Sequence, residues 1–166
     1  MQMLRRYGPV VLTLWIAFVF VQSLVSKFAG AKEAIYIFTT IDQWAGEALG
    51  LKGVFGPGGL LGPTTIGILE LLASLALLLG LALILAVRRG PGERLHRDGA
   101  LLAFAIISAA LFFHLFTPLG IDVGDPAQGI PKDGGALFGM AVSVWLSAFV
   151  LLWVHHRGIW PADGGD

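Results

Sequence analysis

Four stretches of the chain, roughly residues 9–28, 65–87, 99–117 and 135–154, are almost purely apolar, and each is long enough to cross the hydrocarbon core of a bilayer as a helix. A chain so arranged belongs in a membrane. Its composition agrees: 56% of residues are hydrophobic and only 13% charged, which would give a water-soluble domain far too apolar a surface. The 166 residues supply four spans and one substantial loop, with little left for a separate extramembrane domain, so residues 1–166 are read as one membrane domain. Formal charge is zero and no basic patch is interleaved with aromatics, so nucleic acid is not an expected partner, whereas the lipid bilayer is. The absence of cysteine excludes structural disulfides, thiol redox chemistry and Cys-ligated iron–sulfur clusters.

The first span follows Arg5 and Arg6 and ends before Ala29-Gly30-Ala31, a triplet that resembles a signal-peptidase site. Its apolar run is longer than the core of a secretory signal, Lys27 sits beside the cut, and three more spans follow. We therefore read it as a retained span. Counting basic residues in alternate loops puts Arg5, Arg6, Arg88, Arg89, Arg94, Arg97 and Arg157 on one side and Lys27, Lys32, Lys52 and Lys132 on the other. The positive-inside rule then predicts cytoplasmic termini, in a bacterial inner membrane, with the 29–64 and 118–134 loops external. Trp153 and Trp160 would mark the inner interface, Tyr36 and Trp44 the outer one.

Backbone chemistry punctuates the spans. Pro63 and Thr64 precede the second, which Arg88-Arg89-Gly90-Pro91 closes. Asp98 is placed to cap the third and Asp133 the fourth. Short connections return the chain across the membrane each time, which predicts an all-α, antiparallel four-transmembrane-helix bundle. In the long external loop, residues 32–49 set Ala34, Ile35, Phe38, Ile41, Trp44, Ala45, Ala48 and Leu49 at helical spacing, an amphipathic external helix between helices 1 and 2 that either lies on the surface or caps the bundle. The Gly-rich run 53–63 lacks the Gly-Lys-Ser/Thr ending of a phosphate-binding loop and reads as a flexible connector. Gly135, Gly139, Ser143 and Ser147 recur every fourth residue, a stripe suited to a tight contact with another helix.

Ionisable residues in apolar spans are the candidates for function. Lys27 lies near the external end of the first span, with Ser23 one turn earlier on its face. Glu70 lies roughly five residues into the second, about 8 Å at helical rise, with Ser74 one turn deeper. His114 is close to the external end of the third span, and Asp133 opens the fourth at that level. The six side chains Lys27, Glu70, His114, Asp133, Ser23 and Ser74 are thus expected to line an external polar pocket, with Lys27 and Glu70 sharing a salt bridge. His114, flanked by Phe112, Phe113, Leu115 and Phe116, titrates in a range suited to proton transfer or to a quinone hydrogen bond, or else bonds a neighbouring carbonyl. His96 reads as part of the arginine-bearing loop and His155-His156-Arg157 as a solvated tail, so the inner half offers no polar path. No spacing of histidines and carboxylates marks a metal site.

The charge-free run from Phe20 and Val21 through Ser23 to Lys27 and Phe28, the segment Gly67-Ile68-Leu69-Glu70-Leu71-Leu72 with Leu77-Leu78-Leu79-Gly80-Leu81, and the run Asp133-Gly134-Gly135-Ala136-Leu137-Phe138-Gly139 together resemble the DoxX family of small four-helix membrane proteins. Lys27 and Glu70 fall where that pattern has its lysine and glutamate; Ser23 stands where the family commonly has glycine. The resemblance implies association with quinone-linked redox complexes, because some DoxX-like proteins are subunits of thiosulfate:quinone oxidoreductases or of thiol-stress assemblies. The leading expectation is a membrane subunit with no cofactor of its own, in which His114 and Glu70 exchange protons and Lys27 sets the local field, while quinone and a redox partner protein supply the electron chemistry. A homo-oligomer is compatible with it. The alternatives are a small proton-coupled transporter or permease, and a non-catalytic scaffold or assembly factor.

Overall fold

A computed structural model describes residues 2–86 and 89–158, with side chains for all of these except 2–6 and 89. The chain is all-α: α1 (Gln2–Phe28), α2 (Lys32–Leu49), α3 (Pro63–Leu85), α4 (Arg89–Phe116) and α5 (Ala136–His156). Four of these, all but α2, are long and apolar enough to cross a membrane. Arg88 and Trp160 lie outside the described residues.

Around the bundle, α3 packs against α1 and α4, and α5 against α4 and α1. Neighbours run antiparallel, since Gly67 near the start of α3 meets Phe28 at the end of α1, and Gly80 late in α3 meets His96 early in α4. One end of the bundle therefore carries the 29–62 and 117–135 loops, and the other carries the start of α1 and the end of α5; we call them the loop end and the terminal end. Ile16, Phe20, Ala73, Leu77, Ala103, Val144 and Leu151 fill the interior between them. Large apolar side chains on the outer faces, among them Val11, Phe18, Leu72, Leu79, Leu101 and Phe149, stay exposed, as a lipid-facing surface requires. Lipid gives helices no hydrophobic reason to associate, so close backbone approach has to supply the packing. At α3–α4 the glycines do this: a Cβ at Gly80 would sit 2.5 Å from the His96 nitrogen, and one at Gly99 would sit 2.8 Å from the Leu77 nitrogen.

Several sequence expectations are corrected. The third span does not begin at Asp98, because α4 already runs from Arg89; Pro91 lies in its first turn, where a missing N–H costs nothing, and Asp98 is an exposed residue inside the helix, paired with Arg97 at 3.1 Å. Residues 53–62 are not a loose connector. The Asp42 carboxylate on α2 accepts hydrogen bonds from the Gly53 and Phe55 N–H groups at 3.0 and 2.9 Å, and the loop folds tightly enough that a Cβ at Gly62 would lie 2.4 Å from the Gly56 carbonyl oxygen. Those N–H bonds, Phe55 first, outweigh the opposing effect of burial and hold the Asp42 carboxyl below the usual carboxylate range. The face of α2 that is buried is Ala34, Phe38, Ile41 and Ala45, while Ile35, Ala48 and Leu49 are exposed. Ile41 packs against Leu119 and Val123 of the second loop, so α2 caps the bundle.

Candidate functional site

At the loop end, Lys27 closes the last turn of α1 and faces Glu70, which lies two turns into α3. Its ammonium donates to both Glu70 carboxylate oxygens at 2.9 Å and to the Ser23 hydroxyl one turn back. Ser23 donates in turn to Glu70 Oε1 at 3.4 Å. An ammonium has three hydrogens, and all three are committed. Glu70 is only 5% exposed. The sequence therefore pairs Lys27 with Glu70 correctly, and the triangle they form with Ser23 is closed. Ser74 is buried on the same face, but its hydroxyl donates to the Glu70 backbone carbonyl at 2.8 Å, not to the carboxylate.

His114 and Asp133 hold the second loop. His114 is buried near the end of α4, its Nδ1 is 2.7 Å from the Gly120 carbonyl oxygen, and its ring sits edge-on to Phe138 with centroids 5.7 Å apart. A carbonyl only accepts, so Nδ1 carries the hydrogen. Asp133 Oδ1 accepts from the Val123 and Gly135 N–H groups at 2.8 and 3.0 Å, and Oδ2 from the Leu137 N–H at 2.8 Å, which satisfies orphan donors at the start of α5. Burial works to raise the Asp133 carboxyl, but the Leu137, Gly135 and Val123 N–H groups, with help from nearby His114, outweigh it and leave the carboxyl below its ordinary value. Among the described residues, no hydrogen bond or ion pair joins these two side chains to the Lys27–Ser23–Glu70 triangle.

The terminal end holds a cluster the sequence reading passed over. Thr13 on α1 donates to the Pro9 carbonyl at 2.8 Å, and its oxygen lies 2.8 Å from His96 Nε2. His96 Nδ1 lies 2.8 Å from His155 Nε2. Thr13 and His96 are fully enclosed, and His155 is half-buried. His96 is thus no part of an arginine loop, and His155 is no part of a solvated tail. The signal was available: read as helix from Arg89, α4 places His96 on the same stripe as Ala100, Ala103 and Ile107, and His155 continues the buried stripe of Val144, Ala148 and Leu151.

The small-residue stripe of α5 divides. Ser147 is buried and Ser143 accepts a hydrogen bond from the Trp15 indole of α1 at 3.0 Å, whereas Gly139 is exposed with open space beside it. Among the described residues there is no group of three or more histidines and carboxylates arranged to hold a metal ion. In comparisons with known proteins, the chain matches no family model, no curated protein and no solved structure.

Proposed function

We propose that this small polytopic membrane protein is a DoxX-like subunit of a quinone-linked redox complex, with His114 as the group that exchanges a proton with a quinol at the loop end. One nitrogen supports this above all else. Because Nδ1–H is spent on the Gly120 carbonyl, the neutral ring keeps its lone pair on Nε2, and among the described residues nothing hydrogen-bonds that atom. A histidine oriented through one nitrogen and open at the other suits general acid–base work, and Phe138 beside it supplies an aromatic wall. Those groups would fit one oxygen of a quinol ring: Nε2 would take that hydroxyl's proton, while the two electrons and the proton of the second hydroxyl would pass to a redox centre and a base on a partner protein. Glu70 joins proton exchange only if its triangle opens, and Lys27 with Glu70 fixes a dipole at the same end. With the arginine-bearing end cytoplasmic, the proton is released outside.

His114→Asn tests this, since asparagine keeps a donor near Nδ1 for the Gly120 carbonyl while removing Nε2. In lipid nanodiscs, the variant should bind a short-chain ubiquinol at least about tenfold more weakly, equivalent to about 1.4 kcal/mol, with an unchanged unfolding midpoint. Equal affinity for wild type and variant would sink the proposal. A scaffold role is the second reading, and the closed Lys27–Ser23–Glu70 triangle favours it, because a site with every donor committed holds helices together without a ligand.

A further inference from the structure

We propose that the cleft between α2 and the 125–130 turn, at the loop end, is a binding site for a hydroxylated ring that carries one anionic group, a phosphate or a carboxylate. The proposal is independent of the quinol reading, because His114 is not among the residues that line the cleft.

The cleft follows from how α2 is seated. Ala34, Phe38, Ile41 and Ala45 are its buried face, and helical periodicity puts Lys32, Thr39 and Gln43 on the opposite side. Tyr36, half-buried, packs at the edge of the Ile41, Leu119 and Val123 cluster, so the cleft is rooted in the cap that α2 makes over the bundle. Its other wall is Gln128 and Ile130. That wall is braced by one residue: Asp125 Oδ1 accepts from the Ala127 N–H at 3.0 Å, Oδ2 from the Gln128 side-chain amide at 2.8 Å, and the Asp125 carbonyl from the Ile130 N–H at 3.0 Å. The space enclosed is about 380 Å³, which falls in the range of small-molecule sites. A wall already held in place lowers the ordering cost of binding.

The lining sets the chemistry of the ligand. Among the described residues, the side chains of Lys32, Tyr36, Thr39, Thr40 and Gln43 make no hydrogen bond or ion pair. Thr13, Ser74 and Thr117 each spend their hydroxyl hydrogen on the carbonyl four residues back, whereas Thr39 and Thr40 keep theirs for a ligand. Gln128 has committed its amide nitrogen to Asp125 and retains an oxygen to accept. Lys32 is the cation of the cleft, and among the described residues no carboxylate lines it; Glu33, the acidic residue of the same turn, lies outside the lining. Lys32 also stands in the first turn of α2, where the positive end of the helix opposes an ammonium, and the N-cap Ala31 has no side chain to bond the orphan N–H groups. An anion beside Lys32 relieves that opposition. A bare anion would leave the rest unused, since Lys32 to Gln43 spans about 16 Å at helical rise. Hydroxyls and carboxamides that both donate and accept match the hydroxyls of a ring, and Ile35 and Ile130 offer apolar surface to its C–H face.

The experiment is a calorimetric titration of the full chain, held in phosphatidylcholine nanodiscs, with myo-inositol 1-phosphate, myo-inositol and inorganic phosphate. The ring phosphate should bind at least about tenfold more tightly than either of its parts. Lys32→Met should weaken the ring phosphate about tenfold and leave myo-inositol unchanged. Thr39→Val combined with Thr40→Val should weaken both ring compounds about threefold and leave inorganic phosphate unchanged. Lys52→Met, an exposed lysine at the same end that does not line the cleft, is the control and should change nothing. A lipid headgroup and a free molecule carry the same chemistry, and phosphatidylinositol added to the nanodiscs separates them: it should compete with the soluble ring phosphate if the bilayer is the source and have no effect if the source is free in solution. Equal affinity of the wild type for ring phosphate and inorganic phosphate would overturn the proposal, as would no binding of the ring phosphate up to about 10 mM. Both overturning results come from the wild-type protein, so the test survives a variant that fails to fold.

Discussion

The two ends of the bundle solve the same problem with opposite chemistry. At the loop end, interior polarity is ionic: Lys27 and Glu70 cancel each other inside a triangle completed by Ser23. At the terminal end it is a line of neutral groups, Thr13, His96 and His155, that crosses from α1 to α4 and on to α5. An ion pair is all or nothing, since either partner alone is a charge stranded in an apolar interior. A line of neutral donors and acceptors loses one bond at a time. The loop end is therefore built as one unit, and the terminal end as a series of separable bonds.

The largest effect that follows is at Glu70. Glu70→Ala leaves the Lys27 ammonium buried without its counter-ion and should cost about 3–5 kcal/mol, measured as unfolding free energy in mixed micelles. The double variant Lys27→Met with Glu70→Leu should recover most of that loss, because replacing a buried pair by apolar side chains is often neutral. A single-variant cost below about 1 kcal/mol would mean that the pair is solvated like a surface salt bridge, and the contrast between the ends would vanish.

Packing sharpens the comparison at an intermediate size. Gly80, at the terminal end, faces backbone: an added methyl would lie 2.5 Å from the nitrogen and 2.7 Å from the Cα of His96. Gly80→Ala must push α3 from α4 and should cost about 1–3 kcal/mol, and it should disturb the histidine resonances of the Thr13–His96–His155 line. Gly139, towards the loop end of α5, has nothing within 4 Å, so Gly139→Ala serves as the paired control and should be neutral or slightly stabilising through helix propensity.

How far the sequence discloses these two ends depends on which coordinate is asked of it. Apolar length gives depth, so the four spans, the residues of α2 and the level of Lys27 and Glu70 are all legible. Pairing of those two charges follows as well, because neither is tolerable alone. Depth does not give azimuth. The sequence puts His114 and Asp133 at the level of the ion pair, yet they turn to the Gly120 carbonyl and to the Val123, Gly135 and Leu137 amides. The His96–His155 contact is hidden for another reason. Charged residues such as Glu93, Arg94 and Arg97 around a Gly-Pro pair read as a loop, but they are the wet face of a helix whose dry face carries His96. Turn-forming glycines likewise tell where the chain bends and not what it bends around. For residues 53–62 that is Asp42, on another element.

The smallest effect separates the ends by pH. Asp133 and Asp42 both sit below the ordinary aspartate value of 3.8 because backbone N–H groups donate to their ionised form. A carboxyl depressed in the folded state stabilises it fully above the unfolded value and loses that contribution as pH falls through the folded one. The loop end should therefore hold at neutral and mildly acidic pH and loosen only below about pH 3.8. Amide hydrogen exchange at Val123 and Leu137, corrected for its intrinsic pH dependence, is the measurement, with Asp133→Ala costing about 1 kcal/mol at neutral pH, as other lost helix caps do. Loop-end amides that keep full protection well below about pH 3.8 would show that these carboxylates do not hold the loops, and the pH signature of that end would fall with them.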